Sequence, residues 1–326
     1  MNILGPDTLI FDNEDLEACA RYLAAYGLEI VTRTDKLVVG RALDGTSMEV
    51  RLPDDPELPP TVVPTPNLRL AVYGVADDIS LKAIAAELVK DREVTHEESR
   101  IVSHDDDGYP IAFQVTQRHA IDRPAYGVNC PGTRPGRAPN TVAAIAEEKP
   151  MAYTLSHFVL FTRDRDRAER FYAERLNFRT VDVFDNLGPF MRPTGTLDHH
   201  TLFLIQANKL GMQHFTFHFA GANEILKAGW DMVNAGFTSE WGPGRHILGS
   251  NFFWYFQSPF GCIMEMDADM DLHDDNWEPR HIDADEHTSQ TFVFSFSEKY
   301  SPEARRRKRD EAAHFAAEGE TAAPLT

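Results

Sequence analysis

The stretch that decides the fold is GPGRHILGSNFFWYFQSPFGCIMEMD, residues 242–267. Residues 251–256 are rich in aromatic side chains and predict a β-strand, and the S-P-F-G sequence at 258–261 predicts a tight turn. Residues 262–266 then predict a returning strand that carries Glu265 inside an apolar run. Because a buried carboxylate needs a cation or hydrogen-bond donors beside it, Glu265 is a candidate metal ligand. A lone Glu on a hairpin can equally face solvent, so the assignment depends on its neighbours.

The composition is that of an acidic globular protein of 326 residues with a formal net charge of −19. Such a charge disfavours a nucleic-acid partner, because the phosphates would repel the protein. The three cysteines are far apart and do not form a disulfide framework. The first 13 residues lack the basic and apolar pattern of a signal peptide, and no apolar run has membrane-spanning length. We therefore expect a cytoplasmic protein that binds neither nucleic acid nor membrane.

A repeated order of predicted elements organises the chain. Four segments, beginning near residues 8, 68, 155 and 212, each predict a strand, then a helix, then further strands. This order predicts an α+β fold of four βαβββ modules that form two domains. The domains are assigned to 1–119 and 151–271, with a Pro- and Gly-rich linker at 120–150 and a tail with a strand and a basic helix at 272–326. The Pro-containing segment between 184 and 201 is predicted as a connection without a strand.

Two histidines occupy matching positions in the third and fourth modules. His157 and His214 each precede a phenylalanine near the start of a predicted first strand. If the two modules pair about a local two-fold axis, these imidazoles become neighbours, and Glu265 lies on the last strand of the fourth module. Two imidazoles and one carboxylate on one face of a divalent metal leave open positions for substrate and dioxygen. Each His alone could be a packed strand residue, and it is the conjunction of the three that favours a metal site.

The sequence GRH at 244–246 is followed by Tyr255, Pro259, Gly261 and Glu265. With the two histidines, this pattern resembles the type I extradiol ring-cleaving dioxygenases of the vicinal oxygen chelate superfamily. The resemblance covers about residues 154–271, and the first half of the chain is similar only in the order of its elements. Trp254 and Ser258 depart from the family pattern and bear on the substrate rather than on the type of reaction.

The resemblance implies two vicinal oxygen chelate domains and a set of site residues. His157, His214 and Glu265 would bind Fe(II), or Mn(II) as in some members of the family. His200 would be the acid–base histidine, while His246 and Tyr255 would hydrogen-bond the bound diol. His200 is preferred to His199 because its spacing to the following apolar strand fits better, and His199 is expected to point to the opposite face of a strand.

The implied activity is extradiol (meta) cleavage of a catechol-type vicinal diol beside the diol, in the catabolism of aromatic compounds. The product would be of the muconic semialdehyde type, and the partners would be the diol, O2 and further copies of the chain in a homo-oligomer. Two alternatives stay open. A glyoxalase-like metal-dependent isomerase or lyase would lack the trio of His200, His246 and Tyr255. A non-catalytic binding protein of the same fold would need no metal ligands.

The first domain is expected to hold no metal. Aligning residues 7–11 with residues 157–161 puts Asp7 where the ligand histidine lies. Aligning Gly108 with Gly261 puts Ala112 where Glu265 lies. An aspartate and an alanine cannot make the same site, so this domain is expected to support the other one.

Overall fold

The computed structural model describes residues 1–123, 127–143, 149–285 and 288–297. The predicted basic helix near residues 302–309 lies outside these residues, as does most of a short helix predicted at 142–148. Across the described ranges, no helix is long and apolar enough to cross a membrane.

The first domain begins at the N-terminus. Its strands are β1 (Ile3–Asp12), β2 (Glu29–Arg33), β3 (Leu37–Arg41), β4 (Ser47–Arg51), β5 (Leu68–Val75), β6 (Thr95–His96), β7 (Arg100–His104) and β8 (Pro110–Val115), and its helices are α1 (Leu16–Tyr26) and α2 (Asp78–Leu88).

The second domain follows the linker. Its strands are β9 (Thr154–Thr162), β10 (Phe178–Phe184), β11 (Gly188–Pro193), β12 (Leu202–Gln206), β13 (Gly211–His218), β14 (Ser239–His246), β15 (Phe252–Gln257) and β16 (Ile263–Ala268). Its helices are α3 (Arg165–Arg170), which continues as a π-helical turn (Phe171–Arg175), and α4 (Ala222–Asn234). The tail adds β17 (Arg280–Ile282) and β18 (Gln290–Val293).

Four βαβββ modules form the first sheet and all but the two outermost strands of the second, as the sequence predicts. The first sheet has the strand order β2-β3-β4-β1-β5-β8-β7-β6, and the second has β17-β10-β11-β12-β9-β13-β16-β15-β14-β18. Within each module the first strand pairs in parallel with the last, as β1 with β4 and β13 with β16. The modules of a domain join through their antiparallel first strands, β1 with β5 and β9 with β13. Each domain therefore has a local two-fold arrangement.

Helix α1 shows how local sequence sets the element boundaries. The Asp15 side chain accepts a hydrogen bond from the Ala18 amide at 2.8 Å, so Asp15 rather than Asn13 caps the helix. The helix ends before Gly27, whose φ of +120° favours glycine. A Cβ at Gly27 would also lie 2.9 Å from the Pro150 carbonyl oxygen, where the linker crosses it.

The prediction that residues 184–201 lack a strand is wrong, because β11 lies there. Pro189 is the second residue of β11 and Pro193 is the last, so neither interrupts the middle of the strand. Strand β11 pairs with both β10 and β12, and it places Phe190 opposite Phe203. The third module is therefore complete.

The counterpart of the metal site in the first domain is apolar. Strand register makes Thr8 equivalent to His157, and Leu70 equivalent to His214. Ala112 is equivalent to Glu265, as the sequence predicts. The parallel pairing of β5 with β8 places Ala112 where the parallel pairing of β13 with β16 places Glu265. Ile10, Leu70 and Ala112 pack into a small buried cluster that fills this position.

The predicted equivalence of Asp7 and His157 is wrong by one residue. Asp7 lies at a β-bulge between Pro6 and Thr8, which shifts the alternation of side chains. The Asp7 carboxylate accepts hydrogen bonds from Thr116 at 3.0 Å and from Arg118 at 3.1 Å.

A shared core of aromatic side chains joins the two domains. Phe11 of the first domain packs on Phe215 and Phe260 of the second, with ring centroids 5.1 and 5.6 Å apart. The Tyr26 hydroxyl donates a hydrogen bond to the Glu265 carbonyl and accepts one from the Phe217 amide. The first domain thus holds the backbone of the strand that carries Glu265.

The tail lies against both edges of the second sheet. Strand β17 pairs with β10 and strand β18 pairs with β14. The Trp277 indole donates a hydrogen bond to the Val181 carbonyl at 3.0 Å, so this residue packs back on the domain. Strand β18 overlaps residues 291–296 of the tail, for which the sequence predicts an edge strand.

Asp105 is a buried carboxylate at the contact between the domains. Its oxygens accept hydrogen bonds from the amides of Asp107 and Tyr109 and from the hydroxyl of Tyr172. Burial raises the pKa of Asp105 to about 7 despite these donors. Because the folded-state pKa lies above the unfolded value, ionisation of Asp105 removes stability as the pH rises from about 4 to 7.

Replacing Asp105 with asparagine is therefore expected to stabilise the protein at pH 8, by about 1–4 kcal/mol. The amide keeps an acceptor for the two backbone donors and avoids the buried charge. The gain should shrink by about 1 kcal/mol at pH 6, where the wild-type carboxyl is largely protonated. Chemical denaturation of both proteins at the two pH values measures this difference. An equal difference at both values would show that Asp105 does not titrate between them.

Candidate metal centre

Three candidate ligand atoms meet on the inner face of the second sheet. The Nε2 atoms of His157 and His214 lie 3.2 Å apart, and each lies 3.2 Å from Oε2 of Glu265. All three side chains are buried. The three residues predicted as ligands therefore come together, and they are the one such group among the residues that the structure describes.

The pairing of three neighbouring strands places these side chains. Thr216 of β13 lies opposite His157 of β9 on one side and opposite Glu265 of β16 on the other. His214 is two residues before Thr216 and projects from the same face, because side chains alternate along a strand. The fold therefore brings together residues that are up to 108 positions apart (265 minus 157).

Hydrogen bonds behind the two imidazoles fix their tautomers. The Ser156 hydroxyl donates to Asp267 at 3.4 Å and accepts from Nδ1 of His157 at 3.0 Å. Nδ1 of His214 contacts the side-chain carbonyl oxygen of Gln213, which can only accept. Both imidazoles thus carry their proton on Nδ1 and present the lone pair of Nε2 to the centre, as metal-bound histidines do.

The arrangement suits a bound cation. Both carboxylate oxygens of Glu265 are buried without a well-oriented hydrogen-bond donor, although two imidazole nitrogens lie 3.2 Å from one of them. Three electron-pair donors therefore point at one another. Metal–ligand bonds of roughly 2.1 Å at right angles would hold their donor atoms about 3 Å apart. The group fits a divalent metal bound through one face, with the opposite positions open.

A second imidazole and a phenol lie beside Glu265. Nε2 of His246 is 3.5 Å from Oε1 of Glu265 and 3.1 Å from the Tyr255 hydroxyl. Nδ1 of His246 is 3.3 Å from the Ser289 carbonyl oxygen and donates to it. Nε2 therefore accepts from Tyr255, whose ring also packs edge-on against His214 with centroids 5.1 Å apart. These two groups provide a mobile proton close to the candidate metal position.

His200 packs directly on a candidate ligand. Its ring centroid lies 4.1 Å from that of His157, and the edge of Phe190 packs on it at 4.9 Å. Burial, together with the neighbouring imidazoles, lowers the pKa of His200 well below its usual value. A neutral His200 is thus available as a proton acceptor beside the candidate ligands.

The expectation that His199 points away from His200 is wrong. Residues 199–201 form a bend before β12, so the alternation of a strand does not apply to them. The Nδ1 atoms of His199 and His200 lie 2.9 Å apart, and both side chains are buried. Nε2 of His199 also lies 2.7 Å from the carboxylate of Asp182.

His218 lies outside the group of three candidate ligands. Its Nδ1 lies 2.7 Å from Oδ1 of Asp267. Burial alone would lower the pKa of His218, but the Asp267 carboxylate raises it to about 9. This buried ion pair anchors the carboxylate that orients Ser156 and, through it, His157.

Sequence reasoning missed the residues that support the ligands. These are Ser156, Gln213 and Asp267, together with Asp182 behind His199. The first three lie one or two residues from a candidate ligand in the sequence, and this proximity could have identified them as supporting residues. Asp182 has no such signal, because its contact depends on the register of β10.

Residues 154–266 match the family model of the Glyoxalase/Bleomycin resistance protein/Dioxygenase superfamily. The matched segment contains all the predicted site residues. Metapyrocatechase 2 of Cupriavidus necator is 33% identical over 193 residues. That alignment covers 59% of this chain and 59% of the relative, so the chain spans less than two thirds of the relative's length.

Solved structures share the fold of almost the whole chain. The Mn(II)-bound glyoxalase from Novosphingobium aromaticivorans has a TM-score of 0.72 and 16% identity, over 89% of this chain and 91% of that one. BphC, a halotolerant catechol dioxygenase, has a TM-score of 0.71 and 14% identity, over 92% and 97%. At these identities the likeness establishes the two-domain fold alone and does not choose between a glyoxalase and a dioxygenase.

Proposed function

We propose that the protein is a non-haem, Fe(II)-dependent extradiol dioxygenase that cleaves the ring of a catechol-type substrate beside its diol. The observation that best supports this is that His200, His246 and Tyr255, three groups that can move or share a proton, lie around the three candidate metal ligands. The similarity to a metapyrocatechase over 193 residues supports the same assignment. Mn(II) is the alternative metal, since the donor set suits both ions.

The metal chemistry requires only a chelating diol and oxygen. When bound by His157, His214 and Glu265, the metal would lower the pKa of a diol hydroxyl and bring the diol and dioxygen together. Both atoms of O2 enter the product, a muconic semialdehyde, so no external reductant is needed.

The chain's own residues supply proton transfer and positioning. His200, neutral and packed on His157, would accept a proton from the substrate and return it when the ring opens. The His246–Tyr255 pair would hydrogen-bond the anionic diol oxygen, because the Tyr255 proton can turn towards a developing negative charge. Phe190 and Phe203 stack at 3.9 Å next to His200 and keep this side of the site apolar.

A glyoxalase-like reaction is the second candidate, and the Mn(II)-bound glyoxalase among the structural neighbours supports testing it. Isomerisation of a thiohemiacetal needs a metal and a base but no oxygen. It gives no reason for a phenol hydrogen-bonded to an imidazole beside the metal. The neighbourhood of Tyr255 therefore favours the dioxygenase.

The test is reconstitution of the full chain with Fe(II) without oxygen, followed by air and a panel of catechols. We expect about one metal per chain, because the equivalent positions in the first domain are Thr8, Leu70 and Ala112. A yellow product should form with consumption of one O2 per catechol. Methylglyoxal with glutathione, tested in parallel with Fe(II) and Mn(II), should give no turnover.

Two outcomes would overturn the proposal. One is turnover of the thiohemiacetal with no oxygen uptake for any catechol, which would assign the protein to the glyoxalase-like alternative. The other is the absence of tight metal binding, which would favour a binding protein.

A further inference from the structure

A buried chain of polar side chains runs away from the metal centre through His200. Nδ1 of His200 contacts Nδ1 of His199 at 2.9 Å, and Nε2 of His199 contacts Oδ2 of Asp182 at 2.7 Å. His199 and Asp182 are both fully buried. The proposed reaction uses His200 but gives no role to the two residues behind it.

The tail of the chain holds Asp182 as a carboxylate. The backbone amide of Arg280 donates to Oδ1 at 2.8 Å, and its guanidinium donates to Oδ2 at 2.5 and 3.0 Å. The Trp277 indole adds a weaker contact to Oδ1 at 3.4 Å. Although burial opposes ionisation, the hydrogen bonds from His199 and Arg280 hold the pKa of Asp182 well below its usual value.

This carboxylate determines which nitrogen of His199 carries the proton. Asp182 can only accept, so Nε2 of His199 must donate to it. Burial, outweighing the nearby carboxylate, lowers the pKa of His199, so the ring is neutral and its Nδ1 has a lone pair. That lone pair can accept only from a proton on Nδ1 of His200. His200 is then left with a lone pair on Nε2, the form that a base requires.

We propose that the Asp182–His199 pair is a positioning device that holds His200 in its Nδ1–H tautomer and so keeps Nε2 free to accept a proton. The effect that this device should have on turnover rests on the proposed function. The tautomer of His200 can be measured without any reaction. The pair acts as the buried aspartate of a serine-protease triad does, one residue further from the reacting atoms.

Two substitutions of His199 separate positioning from packing. In the His199→Asn variant the amide oxygen lies two bonds from Cβ, as Nδ1 does in histidine, so it can still accept from His200. In the His199→Leu variant the side chain is branched at the same carbon as asparagine but has no hydrogen-bond acceptor. Both variants lose the bond to Asp182 and part of the ring volume, so a purely structural role would make them equally impaired.

We expect the His199→Leu variant to lose roughly 10–100-fold in kcat, with KM for the catechol and the metal content nearly unchanged. The His199→Asn variant should retain kcat within about threefold of wild type, since it keeps the acceptor. Equal losses in the two variants, or a loss that appears in KM alone, would overturn the proposal. If wild type cleaves no catechol, the proposed function fails, and the tautomer measurement still decides the positioning role.

The tautomer is measured on the full chain labelled with ¹⁵N-histidine and loaded with diamagnetic Zn(II). The ¹⁵N–¹H correlation pattern of an imidazole distinguishes a proton on Nδ1 from one on Nε2. Wild type and the His199→Asn variant should show His200 protonated on Nδ1, and the His199→Leu variant should show a mixture or Nε2. Protonation of His200 on Nε2 in wild type would overturn the proposal.

Discussion

Replacement of Glu265 by glutamine is expected to abolish metal retention and, with it, ring cleavage. Glu265 is the one anion of the three candidate ligands, and it lies 3.2 Å from both imidazole nitrogens. A neutral amide binds a divalent ion far more weakly than a carboxylate. Substitution of a residue that supports a metal ligand typically lowers metal affinity by about 10–100-fold. Loss of the ligand itself should therefore lower metal affinity by more than about 100-fold. Metal content per chain after gel filtration and oxygen uptake with catechol measure the two effects.

Glu240 offers a matched control for this substitution. It is a buried glutamate of the same sheet, and it accepts hydrogen bonds from Gln257 and Ser297 away from the three ligands. The Glu240→Gln variant should keep its metal, even if it is somewhat less stable. A Glu265→Gln variant with full metal content and wild-type oxygen uptake would show that the three residues are not the metal site.

The fold was predictable because its signals are local and repeated. Each module can be recognised from a strand, a capped helix and turn residues, and its recurrence in four copies strengthens the prediction of the fold. The sequence does not predict strand β11, because prolines usually interrupt strands, whereas Pro189 and Pro193 lie near the ends of this one. Whether a proline interrupts a strand depends on which backbone groups face the neighbouring strands, and the sequence alone does not specify this.

The meeting of the three candidate ligands was predictable from the repeat, but the alignment of their positions with the first domain was not. His157 and His214 occupy equivalent positions in two modules, and this equivalence is visible in the sequence. Asp7 was assigned to the ligand position because one β-bulge shifts the register of β1, and a bulge has no reliable sequence signature. The correct counterpart, Thr8, follows only from the pairing with β5.

The relation between His199 and His200 shows the same limit. Alternation along a strand would send the two side chains to opposite faces, but they lie in a bend and touch each other. Their support, Asp182 with Arg280, joins β10 to a tail segment 98 residues later in the sequence. Long-range polar contacts of this kind depend on the packed fold rather than on any local motif.

Removal of the His200 imidazole is expected to slow the chemical step by roughly 10²–10⁴-fold while metal and catechol binding persist. None of the three candidate ligand atoms belongs to His200, which contacts His157 only through ring packing. The His200→Phe variant keeps a ring against His157 and Phe190, and the His200→Gln variant keeps a polar side chain. Because neither can accept and return a proton as imidazole does, both should fall in kcat. Anaerobic catechol titration, metal analysis and steady-state oxygen uptake separate binding from turnover.

The pair of substitutions also distinguishes proton transfer from other roles of His200. If packing on His157 were the important contribution, the His200→Phe variant would be near normal and the His200→Gln variant would lose metal. The His281→Gln variant is the surface control, because His281 is exposed and bonded to Asp185. Near-normal turnover in both His200 variants would remove the acid–base role. The proton would then have to pass through His246 and Tyr255, the remaining imidazole and hydroxyl beside Glu265.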